Sequence, residues 1–174
     1  MAGVLRKEGT SQRMIDAERL ANLFKAHAAQ LTLYARQWHD RAAAEDVVQE
    51  AYIRLMSQRV EPANVKAWLF KTVRNEAISQ ARSTQRRRRR ETHDPRQQWF
   101  DPNEAEPMDA VVASEALQSL LVSQREVIVL RIWGQMTLKE AAEVTGISVS
   151  TLFDHYRAGL AALREKMGAP CQNK

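Results

Sequence analysis

The chain has 174 residues, of which 44% are hydrophobic and 27% charged, enough for one domain or two small ones with real apolar cores. That length excludes a TIM barrel or a complete doubly wound enzyme. Lys and Arg total 26 against 21 Asp and Glu, a formal charge of +5, which favours a polyanionic partner without requiring one. Placement says more than the total. Residues 1–93 carry 18 basic and 10 acidic side chains, 94–114 carry 1 and 5, and 115–174 carry 7 and 6.

A single cysteine, Cys171, allows neither an intrachain disulfide nor a cysteine-based zinc site. The histidines at 27, 39, 93 and 155 lack ligand spacing, so neither a metal nor any other cofactor is expected. The first residues, MAGVLRKEGTSQRMIDAERL, show no apolar core of a secretory signal, and no segment reaches the roughly 18 apolar residues of a membrane span. The expectation is a cytoplasmic protein without membrane insertion.

With only 6 Gly and 5 Pro and no sustained alternation of β-branched residues, the chain reads as all-α. Residues 1–15 form a polar tail, expected to be disordered. From Asp16, Leu20, Phe24, Leu31, Ala35 and Trp38 line one side of a first helix that His39-Asp40-Arg41 ends. A second helix, about 43–57, buries Ala44, Val47, Val48, Ala51, Tyr52 and Leu55. A third follows Pro62 and turns Val65, Trp68, Leu69, Val73 and Ala77 inward. Three such helices close a small bundle.

Residues 82–109 have three prolines, no apolar period and a charge block that changes sign, so the middle of this stretch reads as a flexible linker. Within it, Trp99-Phe100 is an apolar pair suited to docking. A second folded unit follows, with helices expected at about 111–121, 124–133, 138–144 and 148–167. Ser123 with Glu126, and Thr137 with Glu140, match the capping box. A short helix, a turn at Thr145-Gly146-Ile147 and a longer helix with a polar start form the helix-turn-helix pattern. Leu138, Ala142, Ile147, Leu152, Tyr156 and Leu160 make its inner seam.

Three constellations carry chemistry. Ser148, Ser150, Thr151, Asp154, His155 and Arg157 are polar residues in the early turns of a candidate recognition helix, placed to meet base edges or phosphates. Lys71, Arg74 and Arg82 share a helical face with position 78 and lead into Arg86, Arg87, Arg88, Arg89 and Arg90, a positive stripe for a nucleic-acid backbone. Asp46, Gln49, Glu50 and Ile53 form an acidic and apolar patch that repels nucleic acid, either a solvated face or a protein-docking face. No carboxylate pair, nucleophile with base, or metal spacing points to an enzyme or a small-molecule substrate.

These residues resemble a bacterial family. AAAEDVVQEAYIRLM is similar to the AEDLVQE-F-RLW segment of extracytoplasmic-function sigma factors, which keep only the second and fourth conserved regions of the larger sigma family. VKAWLFKTVRNEAISQARSTQRRRRR resembles their AWL-RIARN-A-D-RR segment, and LVSQREVIVLRIWGQMTLKEAAEVTGISVSTLFDHYRAGLAALR their fourth region. The likeness spans about residues 18–90 and 114–166.

The resemblance implies two helical domains, an N-terminal bundle over 16–90 and a C-terminal helix-turn-helix domain over 111–168, with a linker at 91–110 and a tail at 169–174. It implies bacterial core RNA polymerase and promoter DNA as partners, leaves room for an anti-sigma factor, and makes the acidic patch the polymerase-binding face. The turn from Arg59 to Lys66 falls where the family captures a flipped base of the −10 element, with Asn64 best equipped to pair with it. Lys71, Arg74, Asn75 and Arg82 fall on the helix that holds the melted strand. Residues 138–163, with Lys139 joining the polar set, fall on the module that reads the −35 element.

Ser79 and Met56 depart from the family's usual Asp and Trp, and Tyr52 from Phe. Phe153 and His155 replace two usual cations while Asp154 adds a negative charge, which weakens phosphate attraction. The leading expectation is an alternative sigma factor that directs promoter recognition, DNA melting and initiation without catalysing a reaction. Two readings stay beside it: a helix-turn-helix regulator acting without polymerase, and a sigma-like protein that only binds.

Overall fold

The computed structural model describes residues 15–88 and 115–168, with side chains over 15–84 and 115–167. Both tails, the expected linker, Trp99-Phe100, Arg89 and Arg90 lie outside the described residues, as do the side chains of Arg86, Arg87 and Arg88. Every regular element described is a helix.

Helix α1, Ala17–Ala35, starts where the Asp16 carboxylate accepts the Arg19 amide at 2.8 Å, satisfying one of the donors that a helix start leaves open. It ends earlier than its apolar spacing predicts. The Arg36 amide still donates to Thr32 O, but Gln37 and Trp38 close tighter turns onto Tyr34 and Ala35. That turn frees Asp40 to begin α2, Arg41–Met56, by accepting the Ala43 amide at 2.9 Å. Helix α3, Val65–Arg88, is opened by Asn64, whose Oδ1 accepts the Ala67 amide at 3.0 Å.

Leu31, Tyr34, Val47, Leu55, Leu69, Phe70 and Val73 are fully enclosed between α1, α2 and α3, each such burial worth roughly 1.5–3 kcal/mol. The inward face of α1 is rotated from the predicted one: Leu23 and Tyr34 enter the core, and Phe24 stays on the rim against the Tyr52 ring at 5.1 Å. The expected inward set of α2 is buried. Tyr52 donates to Leu23 O at 3.0 Å, so its added hydroxyl is satisfied. His39 is buried as well, its Nε2 2.9 Å from Ala77 O.

In the C-terminal unit, α4 is helical over 115–118, α5 spans Val122–Ile132, α6 Leu138–Thr145 and α7 Val149–Gly168. The Thr137–Glu140 capping box forms as predicted. The Ser123–Glu126 box does not, because α5 begins two residues too early: Gln124 accepts the Leu121 amide, and Glu126 is turned inward. Gly146 sits at φ 74°, the left-handed cap that ends α6. Leu160 is partly exposed rather than in the seam. Its neighbour Gly159 faces α5, and a Cβ there would lie 2.7 Å from Ile128 Cδ1.

The two units touch. Helix α3 packs on α6 and α1 reaches α5, and one continuous set of buried residues runs through both.

Candidate nucleic-acid and polymerase interface

Three residues expected to hold the −10 strand meet the C-terminal unit. Arg74 donates through Nε to Glu126 Oε1 at 2.6 Å and through Nη2 to Oε2 at 3.4 Å. Tyr34, wholly buried, donates its hydroxyl to the same Oε1 at 2.7 Å. Asn64 Nδ2 donates to Glu140 Oε1 at 3.2 Å, and Lys66 Nζ to Gln135 O at 3.1 Å.

Local structure explains each position. Gly134 lacks the Cβ that would strike Leu130 O at 2.5 Å, and Gln135 follows at φ 46°. The backbone therefore folds back after α5, burying Met136 and presenting the Gln135 carbonyl outward. Asn64 uses one acceptor position of its amide oxygen as the α3 cap, while its NH2 group donates to Glu140.

Burial, then the neighbouring Glu126, pushes the Tyr34 hydroxyl well above its ordinary pKa. Burial opposes the charge of Arg74, yet its hydrogen bond and attraction to Glu126 prevail and raise its pKa. Glu140 is held below the usual carboxylate range by the Thr137 amide and hydroxyl, with Asn64 and Lys66 adding to the effect.

The remaining members of the stripe, Lys71, Asn75 and Arg82, are exposed on α3, and Arg59 is exposed in the turn before it. Across the bundle, Asp46, Gln49 and Ile53 are exposed on α2, with Ile53 at 57%. Glu50 is half-buried and accepts from Arg54 at 2.9 Å, and Arg54 also reaches Glu76 on α3 at 2.8 Å. Three of the four patch residues are thus exposed, and the fourth, Glu50, is half-buried and already paired.

On the helix-turn-helix, Lys139, Ser148, Ser150, Thr151, Asp154 and Arg157 are exposed and His155 is half-buried. Ser148 Oγ accepts the Thr151 amide at 3.2 Å and lies 3.0 Å from Ser150 Oγ, so it caps α7. The Arg157 guanidinium stands over the Phe153 ring at 5.7 Å, where a cation meets the ring's negative face. Among the described residues no group of three or more His, Cys, Asp or Glu is gathered to hold a metal, and no helix is long and apolar enough to cross a membrane.

The reading of the sequence missed Tyr34, Glu126, Gln135 and Glu140 as parts of one contact. No sequence signal marked Glu126: its burial, with the whole run Arg125 to Leu130, is seen only in the structure, where a buried carboxylate needs a partner.

Residues 23–87 match the family Sigma-70 region 2, and residues 111–163 match Sigma-70, region 4. The ECF RNA polymerase sigma factor SigL of Mycobacterium tuberculosis is 31% identical over 162 residues, covering 86% of this chain and 89% of SigL. SigX of Bacillus subtilis, also an ECF RNA polymerase sigma factor, is 30% identical over 140 residues, 74% of this chain and 72% of its own length. Among solved structures, the sigma factor RpoE in complex with the anti-sigma factor NepR from Bartonella quintana superposes with a TM-score of 0.71, at 23% identity, over 86% of this chain and 96% of RpoE. CnrH in complex with the cytosolic domain of CnrY superposes at 0.62, with 23% identity, over 89% of this chain and 91% of CnrH. The chain belongs to the ECF RNA polymerase sigma factors.

Proposed function

We propose that this sigma factor binds core RNA polymerase through α2 and directs it to promoters that it reads with α3 and α7. The observation that carries the reading is the opposition of charge and apolarity on one small bundle: Asp46, Gln49 and Ile53 exposed on α2, and Lys71, Asn75 and Arg82 exposed on α3. An acidic, partly apolar face suits protein, and a basic face suits a melted strand.

In this account residues 16–90 serve polymerase and the −10 element, residues 111–168 serve the −35 element, and 91–110 join them. Arg59, Asn64 and Lys66 form the turn that takes an unstacked base. Lys71, Arg74, Asn75, Arg82 and the run Arg86 to Arg90 hold phosphates. Ser150, Thr151, Asp154 and Arg157 face the major groove, Lys139 and Ser148 stand at the edge of the module, and His155 lies beside them. Binding energy drives melting, since strand capture offsets a few kcal/mol of unstacking. The factor itself makes and breaks no covalent bond. Work beside polymerase on the chromosome places it in the cytoplasm. An anti-sigma protein is a further partner, supported by the likeness to a sigma factor solved with one.

Light scattering on the free chain and on its mixture with core polymerase tests the docking step. A one-to-one complex that Asp46→Arg prevents agrees with the proposal. A free dimer that ignores polymerase refutes it.

A further inference from the structure

The early turns of α7 present a bare aromatic ring, a carboxylate and a cation side by side. Phe153 is 46% exposed, and so is Val149 one turn before it, whereas Leu152 between them is buried. Val149, Phe153 and Arg157 follow one another at intervals of four and make one row along the helix, with Ser150 and Asp154 beside it, all five exposed. Two half-exposed apolar side chains thus stand within the face proposed to enter the major groove, where they gain only from an apolar partner. We propose that Phe153, with Val149 behind it, reads the 5-methyl group of thymine in the −35 element.

The chemistry of the groove leaves one fit. Phosphates repel Asp154, next in sequence to Phe153 and exposed, so this turn lies over base edges rather than along a strand backbone. Among the groups that bases show in the major groove, only the thymine methyl is apolar. The ring is also held in place. The Arg157 guanidinium stands 5.7 Å from its centroid and covers one face, leaving the rim and the other face for a ligand and lowering the rotamer freedom lost on binding. The hydroxyls nearby are already engaged with one another: Ser148 Oγ lies 3.0 Å from Ser150 Oγ and 2.9 Å from Thr151 Oγ1, and accepts the Thr151 amide. Discrimination at Phe153 therefore comes from a methyl group, and Arg157 supplies the charge next to it.

The inference rests on α7 being the helix that reads the −35 element. The test uses holoenzyme formed from the full chain and core polymerase, with a duplex promoter that this holoenzyme selects from a library. Each thymine of the −35 element is replaced in turn by deoxyuridine, which keeps every hydrogen-bonding group and removes only the methyl. The expected result is binding about fourfold weaker at the thymine that meets Phe153, the worth of one buried methyl. Holoenzyme with Phe153→Ala should bind the thymine and deoxyuridine promoters equally. Phe153→Lys should do the same while steepening the salt dependence by about one unit, because a phosphate contact is gained. The deoxyuridine arm leaves the protein untouched, and both substitutions fall at an exposed position, so circular dichroism should not change. Deoxyuridine bound as tightly as thymine throughout the −35 element, a selected −35 element without thymine, or a methyl effect that survives Phe153→Ala overturns the inference. A holoenzyme that selects no promoter, or one whose −35 sequence can be scrambled without loss of binding, removes the reading beneath it as well, which tells the two failures apart.

Discussion

Glu126 and Arg74 stand 52 residues apart in sequence and 2.6 Å apart in space, joining α5 to α3 through an ion pair that Tyr34 completes from α1. Three helices of two units thus meet on one carboxylate. A buried ion pair adds little net stability compared with a well-packed apolar substitute, yet breaking one partner is costly because it strands the other charge.

The first prediction concerns that triad. Tyr34→Phe removes one hydrogen bond and should cost about 1 kcal/mol in urea unfolding. Combined with Glu126→Gln in a double-mutant cycle, it should show a coupling of roughly 0.5–3 kcal/mol. Additive effects would mean that the two residues do not meet in solution.

Alkaline pH should weaken the fold through Tyr52. Burial raises its pKa to about 12 from an ordinary 10.0. The native state therefore keeps a proton that the unfolded chain releases, and stability falls as pH rises from about 10 to 12. The expected loss is on the order of 2 kcal/mol, smaller in Tyr52→Phe, and is read from urea midpoints across that range. Tyr34, also raised, adds a loss that Tyr52→Phe leaves in place.

Acid acts on Glu140. Its pKa is lowered by the Thr137 amide and hydroxyl, so its contribution is present above the unfolded-state value near 4.5 and is lost as pH falls through the lower folded value. Amide exchange at the start of α6 should accelerate on acidification through that window. Glu140→Gln should flatten this dependence, and Thr137→Ala should cost about 1 kcal/mol at neutral pH.

Two glycines should respond differently to alanine. At Gly134 the new Cβ meets the Leu130 carbonyl at 2.5 Å, and backbone cannot yield as a side chain can, so Gly134→Ala should cost about 1–3 kcal/mol. At Gly146 there is open space but φ is 74°, so Gly146→Ala should cost about 1–2 kcal/mol and Gly146→Asn less. Thermal unfolding of the three variants distinguishes crowding from backbone strain.

For the proposed −35 module, Arg157→Ala should reduce promoter binding by roughly 1–3 kcal/mol at one base position if the guanidinium reads a base. If it holds a phosphate, binding should fall on every sequence and the salt slope should drop by about one unit. The stacking on Phe153 suggests a further check: Phe153→Ala should reproduce part of the loss by freeing the guanidinium.

What could be read from the sequence was what is local. Thr137, Glu140 and Gly146 cap α6 through partners within four residues, and the buried positions of α2 follow from helical spacing alone. Residue roles that depend on distant chain were hidden. Glu126 sits three after Ser123 and so mimics a cap, whereas its partners are 52 and 92 residues away. Phe24 and Leu23 are adjacent and both apolar, and only the packing of α2 against α1 decides which one enters the core. Asn64 shows both effects at once, a local cap in its oxygen and a long-range donor in its nitrogen.

The most direct measurement of the central claim is transcription in vitro with purified core polymerase on a promoter library. The account predicts transcripts with defined starts that require this chain, depend on both a −10 and a −35 element, and vanish with Asp46→Arg although the protein stays folded. Binding to duplex sites in the absence of polymerase, with no defined transcript from any promoter in its presence, would contradict it.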